Sequence, residues 1–324
     1  MKNVTLFFCL LILILLTSCR IGINPNDANP QYCSFSCIIN TDGTGLMEFQ
    51  GANEGIFTPD SQKLIITSRN GLFYRYFNGN IEQISNLVTD IERISPALNY
   101  VIKEVSSEGV VLCDLYGNNL TNVTNVSDAK HYLPCFSSDG NWLMSTYKKN
   151  NIYNMNLINL QNMEYQTVVS DTNAAVGCDY NNNNRDLYYC YEDNGKDNMY
   201  RYNFDSQIKE IIDDDSFGKL SKNSSMYIYE HNSYRVKTYN TISKEIVTIF
   251  EGLSYDNYSI NIDDSGTTAL IRTGRLIYVI NLQTLEKRAI RSDLDFSYAT
   301  LSPDGTKIYA NYSRQTNKTT NDRM

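Results

Sequence analysis

Two histidines, two acidic runs and eight cysteines are the residues of this chain that invite chemistry. His131 and His231 stand far apart, and no Gly-x-Ser-x-Gly elbow accompanies them, so no nucleophile-and-base pair is legible. Asp213-Asp214-Asp215 and Asp263-Asp264 offer the hard oxygen ligands that suit calcium. The glycine and distal glutamate of a calcium loop are missing, so both runs read as solvated turns. Zinc needs more ligands than two histidines and the Cys33/Cys37 pair supply. The expectation is a protein without enzyme activity, resident metal or cofactor.

The cysteines divide by place. Cys9 and Cys19 lie in or at the end of an apolar leader, and six others follow. Six cysteines allow 15 pairings in an oxidising compartment. Cys178 and Cys190 flank the turn text GCDYNNNNRDLYYC almost symmetrically. They are either a cross-strand disulfide or two small buried hydrophobes.

The leader reads VTLFFCLLILILL, preceded by Lys2. This run is shorter than the about 20 apolar residues of a membrane-spanning helix and has the build of a signal segment. It ends in Leu16-Thr17-Ser18-Cys19, which resembles a bacterial lipobox. The resemblance implies a signal peptide over 1–18 and acylation of Cys19. Each buried lipid methylene contributes about 0.8 kcal/mol, so several acyl chains hold a protein to a bilayer. Arg20 rather than Asp follows the cysteine, which points to the outer membrane in a cell with two. Residues 19–32, with Pro25, Pro30 and several Asn, form a flexible tether.

The remainder is built for strands and turns. Tyr is abundant, with 25 residues, beside many Asn, and helix-period stretches are few. The net charge of -8 argues against nucleic acid or an anionic lipid surface as a partner. One text recurs: an apolar strand, a Ser/Asp turn, an alternating strand, a gap and a second alternating strand. Its copies begin at IFTPDS, RISPAL, PCFSSDG, VGCDYNNNN, GKLSKNSS, INIDDSG and LSPDG. Their turn slots are Asp60, Ala97, Asp139, Asn183, Asn223, Ser265 and Asp304, at intervals of 37, 42, 44, 40, 42 and 39. A four-stranded repeat of about 40 residues predicts propeller blades.

The turns TPDS, SSDG and SPDG, with NIYNMNL and LIYVINL downstream, resemble the WD40-like (PD40) repeat of TolB-type propellers. Copies four and five are degenerate in the turn. The resemblance implies an all-β, seven-bladed β-propeller over 33–313, with six or eight blades as alternatives and a disordered tail over 314–324. TolB carries an extra α/β domain that has no counterpart here, so its role in the cell envelope does not transfer. Some propellers of this type are polysaccharide lyases that gather several histidines around a metal, and two histidines match that poorly.

The seventh copy ends half-way through a blade. SCIINTDGTGL, residues 36–46, reads as the missing half and predicts that the N-terminal strands close the ring. Tyr153, Tyr188, Tyr200, Tyr227 and Tyr278 alternate within strands, as packing between blades requires. A ligand is expected at the mouth of the central channel or on the loops at one rim, with candidate turns 148–150, 192–197, 232–234 and 273–275. The candidate contacts there are Lys148, Lys149, Glu192, Asp193, Lys196, Asp197 and Arg275. The expected function is a membrane-anchored scaffold for an envelope protein or ligand, with a hydrolase or lyase acting on polysaccharide as the rival.

Overall fold

The computed structural model describes residues 31–316, apart from 52, 107–108, 125, 127–128, 133, 174, 194–195, 215, 232–233, 255–257 and 292. Within its strands, the side chains of 31–33, 104, 106, 176, 178, 192–193, 196–197, 216–217 and 314–316 are not described. The expected signal segment, Cys19, most of the expected tether and the end of the expected tail lie outside the described residues. Among the described residues no helix is long and apolar enough to cross a membrane.

The Ser34–Arg314 unit is a seven-bladed β-propeller. Blade 1 runs Gly55–Phe57, Lys63–Ser68, Gly71–Tyr76 and Ile81–Ser85, each strand antiparallel to the next. Blades 4, 5 and 6 repeat this order from Ala175–Asn181, Ser216–Leu220 and Tyr258–Ile262. In blade 2 the first strand is reduced to one bridge, Ile94 with Val101. In blade 3 it is split into Lys130–His131 and Cys135–Phe136, both paired with Trp142–Lys149. Copies four and five, degenerate in the turn, therefore build complete sheets. Alternating strands carry a blade, and turn chemistry only tightens it.

Blade 7 closes as expected. Its order is Met47–Gln50, Gln31–Asn40, Lys307–Thr316, Asp295–Leu301, so the chain ends share one sheet. The first strand begins before the tether limit read from sequence, and the last one runs past the tail limit at 314. The hydroxyls of Tyr298 and Tyr309 donate to the carbonyls of Gly55 (2.9 Å) and Asn53 (2.6 Å), tying blade 7 to blade 1.

Seven buried apolar clusters lie one at each blade-to-blade interface. Ile38 and Tyr309 of blade 7 meet Phe57 and Leu64 of blade 1, and Tyr188 of blade 4 stacks on Tyr227 of blade 5 at 5.0 Å. Blade faces are apolar on both sides, which is why no blade is stable alone. Burying each large side chain contributes about 1.5–3 kcal/mol. Tyr188, Tyr200 and Tyr227 are buried in this packing, and Tyr153 and Tyr278 are half-buried.

The repeated turn has one construction. Ser302 donates to Asp304 (2.6 Å) and accepts the N–H of Lys307 (2.9 Å). Ser137 and Ser221 do the same with Asp139 and Asn223. Gly305 has φ +71°, and Ser224 and Leu98 take the same left-handed position at φ 62° and 61°. In copy four that conformation moves one place on, to Arg185. Adjacent turns then bond to each other: Asn223 N–H to Asp264, Asp264 N–H to Pro303, and Asp304 N–H to the Ser61 hydroxyl.

Candidate functional site

Alternating strand direction sorts the loops of a blade. Turns between strands two and three lie at one end, with the connections to the next blade. Turns between strands one and two, and three and four, lie at the other. First strands of neighbouring blades touch one another and so line the axis.

The sequence-predicted contacts all fall at the first end, on three different blades. Lys148 and Lys149 end the second strand of blade 3, opposite Tyr153 and Ile152. Glu192 faces Asp197 and Asp193 faces Lys196 across the blade 4 hairpin, and their side chains are not described. Arg275 of blade 6 pairs with Asp295 at 2.9 Å and is exposed. The rim segment 232–234 lies partly outside the described residues.

At blade 3 this end is basic and aromatic. Lys148 Nζ sits 4.5 Å above the Tyr153 ring and 3.3 Å from its hydroxyl. Lys130, across the strand pair from Lys148, lies 5.4 Å from the Tyr132 ring, and the Tyr132 hydroxyl donates to Tyr153 at 3.4 Å. Donation from Tyr132 and the Lys148 ammonium hold the Tyr153 phenol below its ordinary range. The hydrogen bond to Tyr153 and partial burial push Tyr132 up to about 12. His131 completes the group, with its Nε2 3.1 Å from the Val126 carbonyl and its ring 5.7 Å from Tyr147.

His231 belongs to another blade and another cluster. Its Nδ1 lies 3.0 Å from the Asp214 carbonyl and 3.5 Å from an Asp213 carboxylate oxygen. Asp213, Asp214 and His231 are the grouping of metal-capable side chains found among the described residues. Lys237 Nζ, at 2.7 Å, and the Tyr229 hydroxyl, at 2.9 Å, both donate to the other oxygen of the Asp213 carboxylate, Oδ2. Burial alone would raise its pKa; these donors and His231 outweigh burial and hold it below the usual range. The Lys237 ammonium already neutralises Asp213, and the cluster forms an ion-pair network joining blades 4 and 5. Of the two acidic runs, the second is also structural: Asp263 accepts the N–H groups of Thr267 and Thr268, both at 2.8 Å.

One buried carboxylate that the sequence did not single out is Asp179. It accepts the N–H of Ser138 (2.9 Å), Leu220 (2.9 Å) and Tyr180 (2.8 Å), together with the Ser138 hydroxyl. It thereby ties blades 3, 4 and 5. Burial outweighs these four donors and pushes its pKa up to about 6. No repeat position marks it in sequence.

The disulfide candidate is only half visible. Cys190 stands opposite Val176, and Cys178 falls at the bulge between Gly177 and Asp179, diagonal to Cys190 rather than across from it. The Cys178 side chain lies outside the described residues.

No family model and no curated protein sequence matches the chain. Solved structures do. It is similar to an oligogalacturonate lyase in complex with manganese, with TM-score 0.63 and 11% identity, covering 90% of this chain and 99% of that one. It is similar to an oligogalacturonate lyase from Vibrio parahaemolyticus, with TM-score 0.59 and 11% identity over 88% and 98% of the two chains. A TolB from Agrobacterium tumefaciens aligns at TM-score 0.47 and 14% identity over 89% and 99%. At such identities the likeness to the two lyases is one of fold alone.

Proposed function

We propose that the chain is a binding scaffold displayed from a bacterial envelope membrane by lipid on Cys19, and that it does no chemistry of its own. The observation that carries this reading is the rim of blade 3. There Lys130, Lys148, Tyr132 and Tyr153 form a rigid basic and aromatic contact surface on a chain whose net charge is -8. Aromatic and cationic side chains held in place by their neighbours are what protein-binding surfaces concentrate. His131 and His231 lie on separate blades and bond to backbone carbonyls, a use consistent with structure rather than proton transfer.

The test is capture from detergent-solubilised envelope by the full chain. A partner retained by the native chain and lost with Lys148→Glu/Lys149→Glu supports the reading; turnover of a glycan with no partner recovered overturns it. Metabolic labelling with a fatty acid checks the address, because a Cys19→Ala chain that still takes up label would refute the anchor. The rival, a hydrolase or lyase on polysaccharide, draws support from the fold shared with the oligogalacturonate lyases. It predicts new reducing ends or unsaturated products from a polysaccharide incubated with the chain.

A further inference from the structure

At the end of the ring opposite that rim, a groove of about 230 Å³ lies between blades 3 and 4. Trp142, Tyr165, Tyr180 and Phe204 line it together with Glu164, Gln166, Asn182 and Arg185. Trp142 meets Tyr180 edge-on at 4.8 Å, and Tyr180 meets Phe204 edge-on at 5.9 Å. Tyr180 is buried and braced, whereas Tyr165 is 60% exposed at the entrance. Trp142, Tyr180 and Phe204 therefore brace one another edge-on, and Tyr165 leaves one flank open.

We propose that this groove binds one pyranose ring of a neutral polysaccharide. A pyranose has an apolar face of C–H bonds and a rim of hydroxyls, so it needs an aromatic ring to lie against, flanked by planar donors and acceptors. Both are here. Among the described residues the amides of Gln166 and Asn182 have no side-chain partner, and each offers a paired donor and acceptor. Glu164 uses one carboxylate oxygen to accept from Asn162 at 2.9 Å and keeps the other. The volume lies below the about 300 Å³ at which drug-sized sites begin, which fits a single ring with its neighbours outside.

Charge decides between neutral and acidic sugars. The cation of the groove, Arg185, is paired with Asp205 at 2.7 Å, and Glu164 adds a negative charge. A uronate would meet no spare positive charge and one repulsive carboxylate. This site stands apart from the rim reading: it is at the other end of the ring and uses none of the rim residues.

The chain has one tryptophan, Trp142, so its fluorescence reports this groove directly. The full chain, in a detergent without a sugar headgroup, is titrated with hexasaccharides of glucose, mannose, galactose and N-acetylglucosamine, and with hexagalacturonate. The expected result is a saturable change in Trp142 emission with at least one neutral hexasaccharide, at least ten-fold weaker with hexagalacturonate. Tyr165→Ala and Gln166→Ala should each weaken it about ten-fold without moving the thermal midpoint, since both are on the open flank. Lys148→Glu should leave it unchanged, so failure here and failure of the rim reading are distinguishable. No saturable change with any neutral sugar, equal or tighter binding of hexagalacturonate, or displacement by an aromatic peptide but by no sugar would each overturn the proposal.

Discussion

The groove between blades 3 and 4 has a twin between blades 6 and 7. In the repeat, Thr268 takes the place of Trp142, Val279 of Leu157, Asn281 of Asn159, Glu286 of Glu164 and Arg288 of Gln166. The shared backbone is the same tight turn: Asn159 N–H bonds the Glu164 carbonyl at 2.8 Å, and Asn281 N–H that of Glu286 at 3.0 Å. The second walls differ. Blade 4 contributes Tyr180, Arg185 and Phe204, whereas blade 7 contributes Thr41 and Asp42 from the turn between its closing strands. The repeat thus sets the same backbone turn at both interfaces, and the side chains around it differ. One twin is aromatic with idle amides; the other is small, polar and charged.

The largest way to break the comparison is to delete residues 33–49. That removes Thr41 and Asp42, one wall of the polar groove, and also the buried Cys37, Ile38 and Ile39 that close blade 7. At about 1.5–3 kcal/mol per buried side chain, with two strands lost besides, the effect approaches the whole about 5–15 kcal/mol stability of a domain. The expected outcome is a chain without a cooperative unfolding transition, while truncation after Thr316 leaves one intact.

Next comes Trp142→Ala against Thr268→Ala. Removing a half-buried indole braced by Tyr180 should cost about 2–4 kcal/mol, near the lower part of the range for large aromatic truncations. The threonine truncation should cost about 1 kcal/mol or less. Denaturant midpoints measure both, and equal losses would mean that the two notches are energetically alike.

A finer exchange is Gln166→Arg, which gives the aromatic groove the residue its twin has at Arg288. An unpaired guanidinium there should strengthen hexagalacturonate binding several-fold and weaken the neutral sugars, as read by Trp142 fluorescence. No shift in preference would show that charge does not set the selectivity.

The smallest effect concerns the joint beside the aromatic groove. Asp179 titrates near 6 when folded, above its ordinary value of 3.8, so the folded chain holds this proton more tightly than the unfolded one. Its contribution is fully present below the unfolded pKa and is lost as pH rises through about 6. The thermal midpoint should therefore carry a component that falls between about pH 4 and pH 6, and Asp179→Asn should remove that component. A midpoint whose pH dependence is the same with and without Asp179 would remove the premise.

Much of this molecule is legible before folding. The spacing of the turn slots, the alternation of the strands and the orphaned half-blade at 301–313 establish a ring of seven closed by its own N-terminus. They do so because each depends on residues near one another in sequence, in which local turn chemistry and a period of two declare themselves. The blade 3 lysines were legible for the same reason: a hairpin turn places its own flanking residues. Trp142 carried a signal too, as the lone indole at a slot that other copies fill with Lys63, Tyr100, Asp186, Met226, Thr268 and Lys307.

What tertiary structure alone decided is which residues share a surface between blades. Phe204 follows the third strand of blade 4 and shares a groove with Tyr165, on the fourth strand of blade 3, only because two sheets stack face to face. His231 meets Asp213 because the outer strand of one blade ends beside the second strand of the next. Asp179 finds Ser138 and Leu220 on either side for the same reason. Stacking is set by apolar volume summed over whole blade faces, a quantity that no local pattern encodes. The sequence by itself determined the ring and its clasp, and packing between the blades decided where a ligand could sit.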